Sequence, residues 1–523
     1  MISYLKEFVK WYEKRAIQFN LLFLSVLLSI FSIWLTNAGV LPFFSLGDFV
    51  FFSFFVFLFA LYRPGWAFLL LIGLLPLEIV SLSPAAVGIS VRPYQLLGAL
   101  VLFALLVRKA MGRGAVELPR LGKADLLVAL FVAGGFVGSF AAPAIWPSFK
   151  QALVAASFAA LYFLARIFVS SRQDLVKVAP FFFGGAAVAA LYAVWQNWRF
   201  KWDLNAFEVM AGRPNAAFAE PDWLGVFLVF ALAMLFAADF FLSRSKGKRQ
   251  SLRFVLAVLL VVALVLTVAR SAWLGAAVVA LGYLKIVLWG ERFRGGSWDV
   301  RGFFKKTGLL AAALLAAILL VKLFNLSSFE LASRAASTAG LQKITVACKG
   351  YADAKLPERI EDVERLSQYG CQHINLEEIA DFESRGFVIS EIYRPDPNVG
   401  IRAKIYAAAW QQIKAHVVFG MGWGSIGAVL GSDERGAALN ASNIFLETWL
   451  GAGLSGVLAL TSLFALLIFY AVKAYFCGRD AEAAFLLLGV FALIVPNLFN
   501  SGIFLGFVWL YLGAAAGMGQ MKG

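Results

Sequence analysis

Residues 252–289 read LRFVLAVLLVVALVLTVARSAWLGAAVVALGYLKIVLW, and Arg270 is the one charge between Arg253 and Lys285. A spanning helix needs roughly 20 apolar residues to cross about 30 Å of hydrocarbon. These 38 residues therefore read as two spans joined by almost no loop, with Arg270 at the join. The apolar positions do not alternate, which excludes membrane strands. A guanidinium in such a place must face protein or water, because it cannot shed its charge into lipid.

Outward from this stretch the same pattern covers most of the chain. Of 523 residues, 61% are hydrophobic and 15% charged, against roughly 45–50% and about 25% in a soluble domain. That balance excludes a soluble enzyme, a disordered scaffold and a fibrous protein. Apolar stretches near 17–36, 47–63, 65–83, 93–110, 124–141, 149–170, 175–196, 222–242, 252–269, 271–289, 306–324, 452–474, 481–497 and 500–518 mark the spans. The expected fold class is all-α, a polytopic membrane helical bundle of about 12–14 spans.

Lys and Arg number 46 against 31 Asp and Glu, a net charge of +15. In a membrane protein this excess gathers in short cytoplasmic loops, so it does not argue for nucleic acid. Clusters at Lys10, Lys14 and Arg15, at Arg108 to Lys123, at Arg166 to Lys177, at Arg244 to Arg253, at Arg292 to Lys306, and at Lys473 and Arg479 all fall on one side if the spans alternate. Both termini are then cytoplasmic. The basic, amphipathic MISYLKEFVKWYEKRA lacks a small-residue cleavage site and reads as a retained helix lying on the membrane.

Two polar segments fall on the opposite side: the loop 197–221 and a long insert, 325–440. The organisation expected is a membrane bundle over 1–324, an extracytoplasmic subdomain containing short helices over 325–440, and C-terminal membrane helices over 441–523. Within the insert, KLPERIEDVERLSQYG (355–370) and IRAKIYAAAWQQIKAH (401–416) carry helical periodicity. Cys348 and Cys371 lie in it, outside the reducing cytoplasm, either bridged or as two unpaired small hydrophobes; the compartment favours the bridge. Cys477 sits at a helix end and reads as structural.

His373 and His416 are the two histidines, and no metal-ligand spacing, phosphate loop or nucleophile elbow is present. The expected chemistry uses neither metal nor cofactor. What stands out instead is three arginines on the non-cytoplasmic side: Arg213 in GRPNAAFAEPDWLG, Arg270 in TVARSAWLG and Arg402 in IRAKIYAAAW. A guanidinium offers a planar fork that fits phosphate oxygens, so several together suit a pyrophosphate whose lipid tail lies in the bilayer. The plainer alternative is that each snorkels to the interface or pairs with an acid such as Glu220, Asp222 or Glu447. Glu447 and Glu220 are candidate general bases toward a sugar hydroxyl, or else acids favoured by a helix start. Glu78, in LPLEIVSL, is a further partner for an arginine, its role open.

Four segments in this order, GRPNAAFAEPDWLG, ARSAWLG, IRAKIYAAAW…FGMGWGSIG and NASNIFLETWLGAGLSG, resemble the O-antigen ligase and O-antigen polymerase superfamily of bacterial envelope glycosyltransferases. The similarity spans roughly residues 205–475. It implies a GT-C-like, metal-independent enzyme at the outer face of the cytoplasmic (inner) membrane, acting on polyprenyl-pyrophosphate-linked oligosaccharide. Arg213, Arg270 and Arg402 fall on motifs whose arginines hold the pyrophosphate in that family, and stabilising the leaving group is then the main catalytic task. A membrane lipid and a chain-length regulator or acceptor protein are the other partners implied. Ligases of the family carry a His-Asn pair where this chain has Ser442-Asn443. The departure favours a polymerase or transferase using Glu447 or Glu220 as base over a ligase. A transporter of lipid-linked saccharide, the reading from another class, would show internal symmetry, which this sequence lacks.

Overall fold

The computed structural model describes residues 2–113, 119–241, 248–289, 298–327, 341–349, 356–374, 378–395, 397–432, 438–478 and 480–519. The basic positions Arg244, Lys246, Arg292, Arg294 and Arg479 lie outside them. Among the described residues, nine helices are long and apolar enough to cross a membrane, and five shorter apolar helices of 10–17 residues accompany them. Each coincides with one apolar stretch of the sequence. The chain is a polytopic helical membrane protein.

Helix ends follow the breakers. Residues 2–37 contain neither Gly nor Pro, and α1 (Ile2–Asn37) runs through them without a break. The basic N-terminal segment is thus continuous with the first span, where the sequence suggested a separate surface helix. After α2 (Leu46–Tyr62) comes α3 (Pro64–Gly73), which stops well short of the expected 65–83. Pro76 and Pro84 disfavour helix in the residues before them, and 74–92 is irregular apart from a short turn at Ala85–Val87. Then follow α4 (Pro93–Ala110), α5 (Lys123–Phe140), α6 (Ile145–Phe168), α7 (Arg172–Lys201), α8 (Pro221–Phe241), α9 (Lys248–Leu266), α10 (Arg270–Trp289) and α11 (Val300–Leu323).

Two compact units emerge, residues 1–326 with 409–523, and residues 327–408. In the first unit the chain resumes through the end of α13 (Pro397–Ala415), the short α14 (Ile426–Leu430), α15 (Ile444–Phe476), α16 (Asp480–Asn497) and α17 (Gly506–Gly519). At 14 residues, α17 would reach about 21 Å, less than a bilayer, and residues 506–518 are all buried. It is a central pillar rather than a peripheral span. Small residues allow the approach: a Cβ on Gly517 would stand 3.0 Å from the Val169 carbonyl oxygen. The glycine-rich FGMGWGSIG works in the same way. Trp423 lies against Gly135 of α5 and Gly451 of α15, while Gly420 and Gly422 hold the left-handed φ of 72° and 76° that L side chains resist. One end of the bundle is tied by Asp239, which takes Arg253, Lys306 and the Tyr283 hydroxyl, and by Asp125, paired with Arg166 and Tyr162.

Among the described residues, the helix expected at 401–416 is present in α13, whereas the rest of the second unit departs from the expected short helices. It holds a three-stranded antiparallel sheet, order β2-β1-β3, of β1 (Leu341–Lys349), β2 (Cys371–His373) and β3 (Phe387–Pro395), with one short helix, α12 (Ile379–Ser384). β1 alternates Ile344, Val346 and Cys348 into a small core with Ile360, Leu366, Cys371 and Ile392, the period-two pattern that a helical reading overlooks. The stretch 355–370, of which 356–370 is described, is not an α-helix. Pro357 offers no amide donor, Arg359 bridges to Tyr393, and a 3-10 turn at Val363–Tyr369 begins on the Asp362 cap and ends at Gly370, φ 64°.

Candidate functional site

At the end of the bundle opposite Asp239, helices α4, α8, α10, α15 and α17 begin and α9 and α16 end. The loops there are short, and side-chain bonds stitch them together. The segment before α8 is held by Gln196 of α7, whose Oε1 accepts from the Ala216 amide (2.7 Å) and whose Nε2 donates to Asn215 Oδ1 (3.4 Å). Arg213 in that segment donates from Nε to the Thr267 carbonyl (3.0 Å), from Nη2 to Asp222 Oδ1 (3.3 Å) and from Nη1 to Met210 Sδ (3.4 Å). It therefore braces the start of α8 against the α9–α10 join. The contact with Asp222 is one the plainer reading anticipated. These three bonds use three of the five N–H groups of a guanidinium, and 20% of the side chain remains exposed.

The α9–α10 join is only Thr267, Val268 and Ala269. Val268 has φ 53°, a left-handed conformation that is an outlier for a β-branched residue. Ala216 (φ 47°) and Ser442 (φ 48°) share it. Ala216 and Ser442 thus lie inside two of the resemblance motifs and Val268 directly precedes a third, and strain of this kind concentrates at sites where geometry is used. Arg270 is the first residue of α10, partly buried. Beside it, Ser271 Oγ accepts from Asn500 Nδ2 (3.0 Å).

Asn500 belongs to 498–505, the irregular link between α16 and α17 that the sequence reading reduced to almost nothing. Ser501 Oγ reaches Asn440 Oδ1 (3.2 Å) and Glu447 Oε2 (3.5 Å), and the Leu498 carbonyl accepts from Asn443 Nδ2 (3.0 Å). Asn443 is also the N-cap of α15, its Oδ1 accepting from the Phe445 and Leu446 amides. Glu447 is buried in the first turn of α15 and accepts from the Ala441 amide (2.6 Å). Its helix piece is short, because Gly453 at φ 65°, ψ −164° breaks α15 there. Glu447, Ser442 and Asn443 therefore share one knot with Asn440, Leu498 and Ser501. Glu220 lies just ahead of α8, where its carbonyl accepts the Leu224 amide (3.2 Å).

Glu78 has an ion-pair partner. Its carboxylate takes Arg92 Nε (3.0 Å), the Tyr94 hydroxyl (2.8 Å) and the Gly506 amide (3.0 Å), so it lies between the N-termini of α4 and α17. The next residue, Ile79, donates its amide to Ala217 (2.9 Å), joining this knot to the Arg213 segment. Of the residues holding the site, Gln196, Asn215, Asn440, Asn500, Ser501, Arg92 and Tyr94 escaped the sequence reading. The signal for two of them was legible: VPNLFNSGIF sets Asn497, Asn500 and Ser501 in an apolar context, where polar groups mark function or packing.

The starts of α4, α8, α10, α15 and α17 differ in the charge they carry. Each carries the positive end of a helix dipole. Asp222 lies in the first turn of α8 and Glu447 in that of α15, and Glu78 serves α4 and α17. At α10 the first turn has no acid and begins with Arg270. A cation there is disfavoured for helix stability, whereas cation and amide groups together attract an external anion.

Arg402 belongs to the second unit. It lies on α13, partly buried, one turn before Tyr406, whose hydroxyl pKa is pushed up by burial and eased down by the Arg402 charge. Cys348 and Cys371 are also in that unit, opposite one another on β1 and β2 and bonded through their sulfurs.

The helices and this knot of loops define an integral membrane protein. Residues 255–461 match the family model described as O-antigen ligase, which supports a place for that segment in the O-antigen ligase and polymerase superfamily and a role for the protein as a membrane enzyme of glycan processing. The match takes in Arg270, Arg402, Ser442, Asn443 and Glu447; Arg213 and Glu220 precede it. No curated protein and no solved structure matches the chain.

Proposed function

We propose that this protein transfers or polymerises polyprenyl-pyrophosphate-linked oligosaccharide at the outer face of the cytoplasmic membrane. The observation that carries the reading is the α9–α10 join, where α10 opens on Arg270 with no acid in its first turn and lies beside the Thr267 carbonyl that holds Arg213. A departing lipid pyrophosphate gains negative charge as the glycosidic C–O bond breaks, and preorganised positive groups are most effective against charge that develops in the transition state. Arg270 and the α10 amides would take that charge. Arg213 would add a second fork from its brace, and Arg402 is the further candidate that the resemblance names. Glu447 would accept the proton of the attacking sugar hydroxyl, with Ser501 and the Ala441 amide fixing its orientation; Glu220 is the alternative base.

A ligase reading is favoured by the description of the matching family. Against it stands Ser442, where ligases have histidine. The test is transfer by the reconstituted protein from a polyprenyl-pyrophosphate oligosaccharide, comparing wild type with Arg270→Ala, Arg402→Ala and Glu447→Gln. A ladder of longer lipid-linked saccharides, lost in the variants, is the expected result. Transfer to a separate lipid or protein acceptor would make it a ligase working without the histidine. No product from authentic donors, with pyrophosphate-lipid binding unchanged in the arginine variants, would overturn the reading.

A further inference from the structure

Away from the loops, α7, α9 and α11 enclose a groove of about 950 Å³. Its walls are apolar over their whole length, from Leu191 to Trp202 on α7, Phe254 to Val262 on α9, and Ala316 to Leu326 beyond the end of α11; Lys201 is the one charged residue lining it. At 1.5 Å per residue the α7 wall is roughly 17 Å long and the α9 wall about 12 Å, near half the thickness of a hydrocarbon core.

The groove has a direction. On α9 its last lining residue, Val262, is five positions before Thr267, whose carbonyl holds Arg213; that is roughly 7 Å of helix. On α7, Trp195 immediately precedes Gln196, which anchors Asn215 and Ala216. Trp195 also stacks on Phe207 in the loop leading to Arg213, with ring planes 6° apart, and the Arg199 guanidinium lies over the Trp195 ring at 4.9 Å. The deep end is bare hydrocarbon-facing wall, and the end toward the candidate site is ringed by Trp195, Trp198 and Trp202 with Lys201 and Arg199 among them. This is the distribution a single hydrocarbon chain with an anionic head requires: aliphatic contact along its length, indole rings at the polar boundary, cations beside the head.

We infer that this groove holds the polyprenyl chain of the donor and delivers its pyrophosphate to the α9–α10 join. The inference rests on the transferase reading above and adds to it the side of the bundle from which the donor enters: laterally, between α7 and α11, across α9. The head-proximal half of the chain lies in the groove and the remainder in the bilayer.

The test uses the full-length protein in phosphatidylglycerol nanodiscs with a polyprenyl pyrophosphate carrying a benzophenone in a head-proximal isoprene. Photolabelled peptides are mapped by mass spectrometry. Label is expected on α7, α9 and α11 lining residues, displaced by unlabelled polyprenyl pyrophosphate and not by the surrounding phospholipid. Ala316→Trp, which fills the groove, is expected to cut labelling at least tenfold, while Leu315→Trp, on the exposed side of the same helix, leaves it unchanged. Label elsewhere, or label that phospholipid displaces equally, overturns the inference and makes the groove a site for ordinary acyl chains. These two measurements on wild type decide the matter even if Ala316→Trp fails to fold. Transfer assayed in the same nanodiscs separates the two readings. Active protein without groove labelling refutes the groove alone, whereas groove labelling without transfer refutes the transferase and leaves a polyprenyl-binding site.

Discussion

Replacing Arg270 with alanine separates a catalytic charge from a structural one, because its effects on activity and on stability differ in size. Two unit charges about 4 Å apart interact by about 4 kcal/mol at the effective dielectric of a protein surface, near 20. A helix N-terminus, with roughly half a charge, contributes about half of that. Arg270→Ala removes the first contribution and leaves the second. Arg270 is partly exposed, so solvent screening reduces the loss to roughly 2–3 kcal/mol, which is about 30- to 150-fold in kcat/KM. Arg270→Lys keeps the charge and forfeits the fork, for a loss of roughly fivefold, or about 1 kcal/mol. Stability responds weakly. A part-exposed ion pair contributes about 0–1 kcal/mol, and relief of a cation at a helix N-terminus returns about 0.3–1 kcal/mol. The assay is steady-state transfer in proteoliposomes, paired with SDS-titration unfolding of the same samples. The reasoning is refuted if Arg270→Ala stays within about threefold of wild type, or if its loss of activity follows a matching loss of folded protein.

Three other outcomes follow from the packing. Arg92→Leu strands the buried Glu78 carboxylate and should cost about 3–5 kcal/mol, most of which Glu78→Gln in the same chain restores; an additive double mutant in SDS titration would contradict the pairing. Gly453→Ala forces a side chain into φ 65°, ψ −164° and onto the Val418 and Phe419 backbone. It should destabilise by at least about 3 kcal/mol, seen as loss of monodisperse protein on size exclusion. Cys348→Ser with Cys371→Ser opens a loop of sequence separation 23, removing about 3 kcal/mol from the second unit by loop entropy; limited proteolysis should then cut between residues 341 and 395 while the membrane helices stay intact.

How far these features were legible beforehand depended on whether they are local. Apolar length is a local property, so each apolar helix among the described residues overlaps an expected stretch. Proline positions could have warned that α3 ends at Gly73, and the alternation of Ile344 and Val346 that the insert contains a sheet. Arg270 was conspicuous because nothing near it in the chain is charged. Glu78 was noticed, but its partners were not: the Gly506 amide lies 428 positions away.

The sequence alone determined that lipid is the solvent of this protein, where its chain crosses, and that an arginine interrupts a long apolar stretch. Those conclusions need only the free energy of moving side chains between water and hydrocarbon. The tertiary structure decided which helix ends meet. It set Asn500 beside Ser271 across 229 positions, gave Arg213 to Thr267 and Asp222, and buried the short α17 in the centre. Helices uniformly apolar around their circumference carry little record of which face meets which neighbour. Close packing of small residues and a few buried polar bonds make that choice, and both depend on residues far apart in the chain.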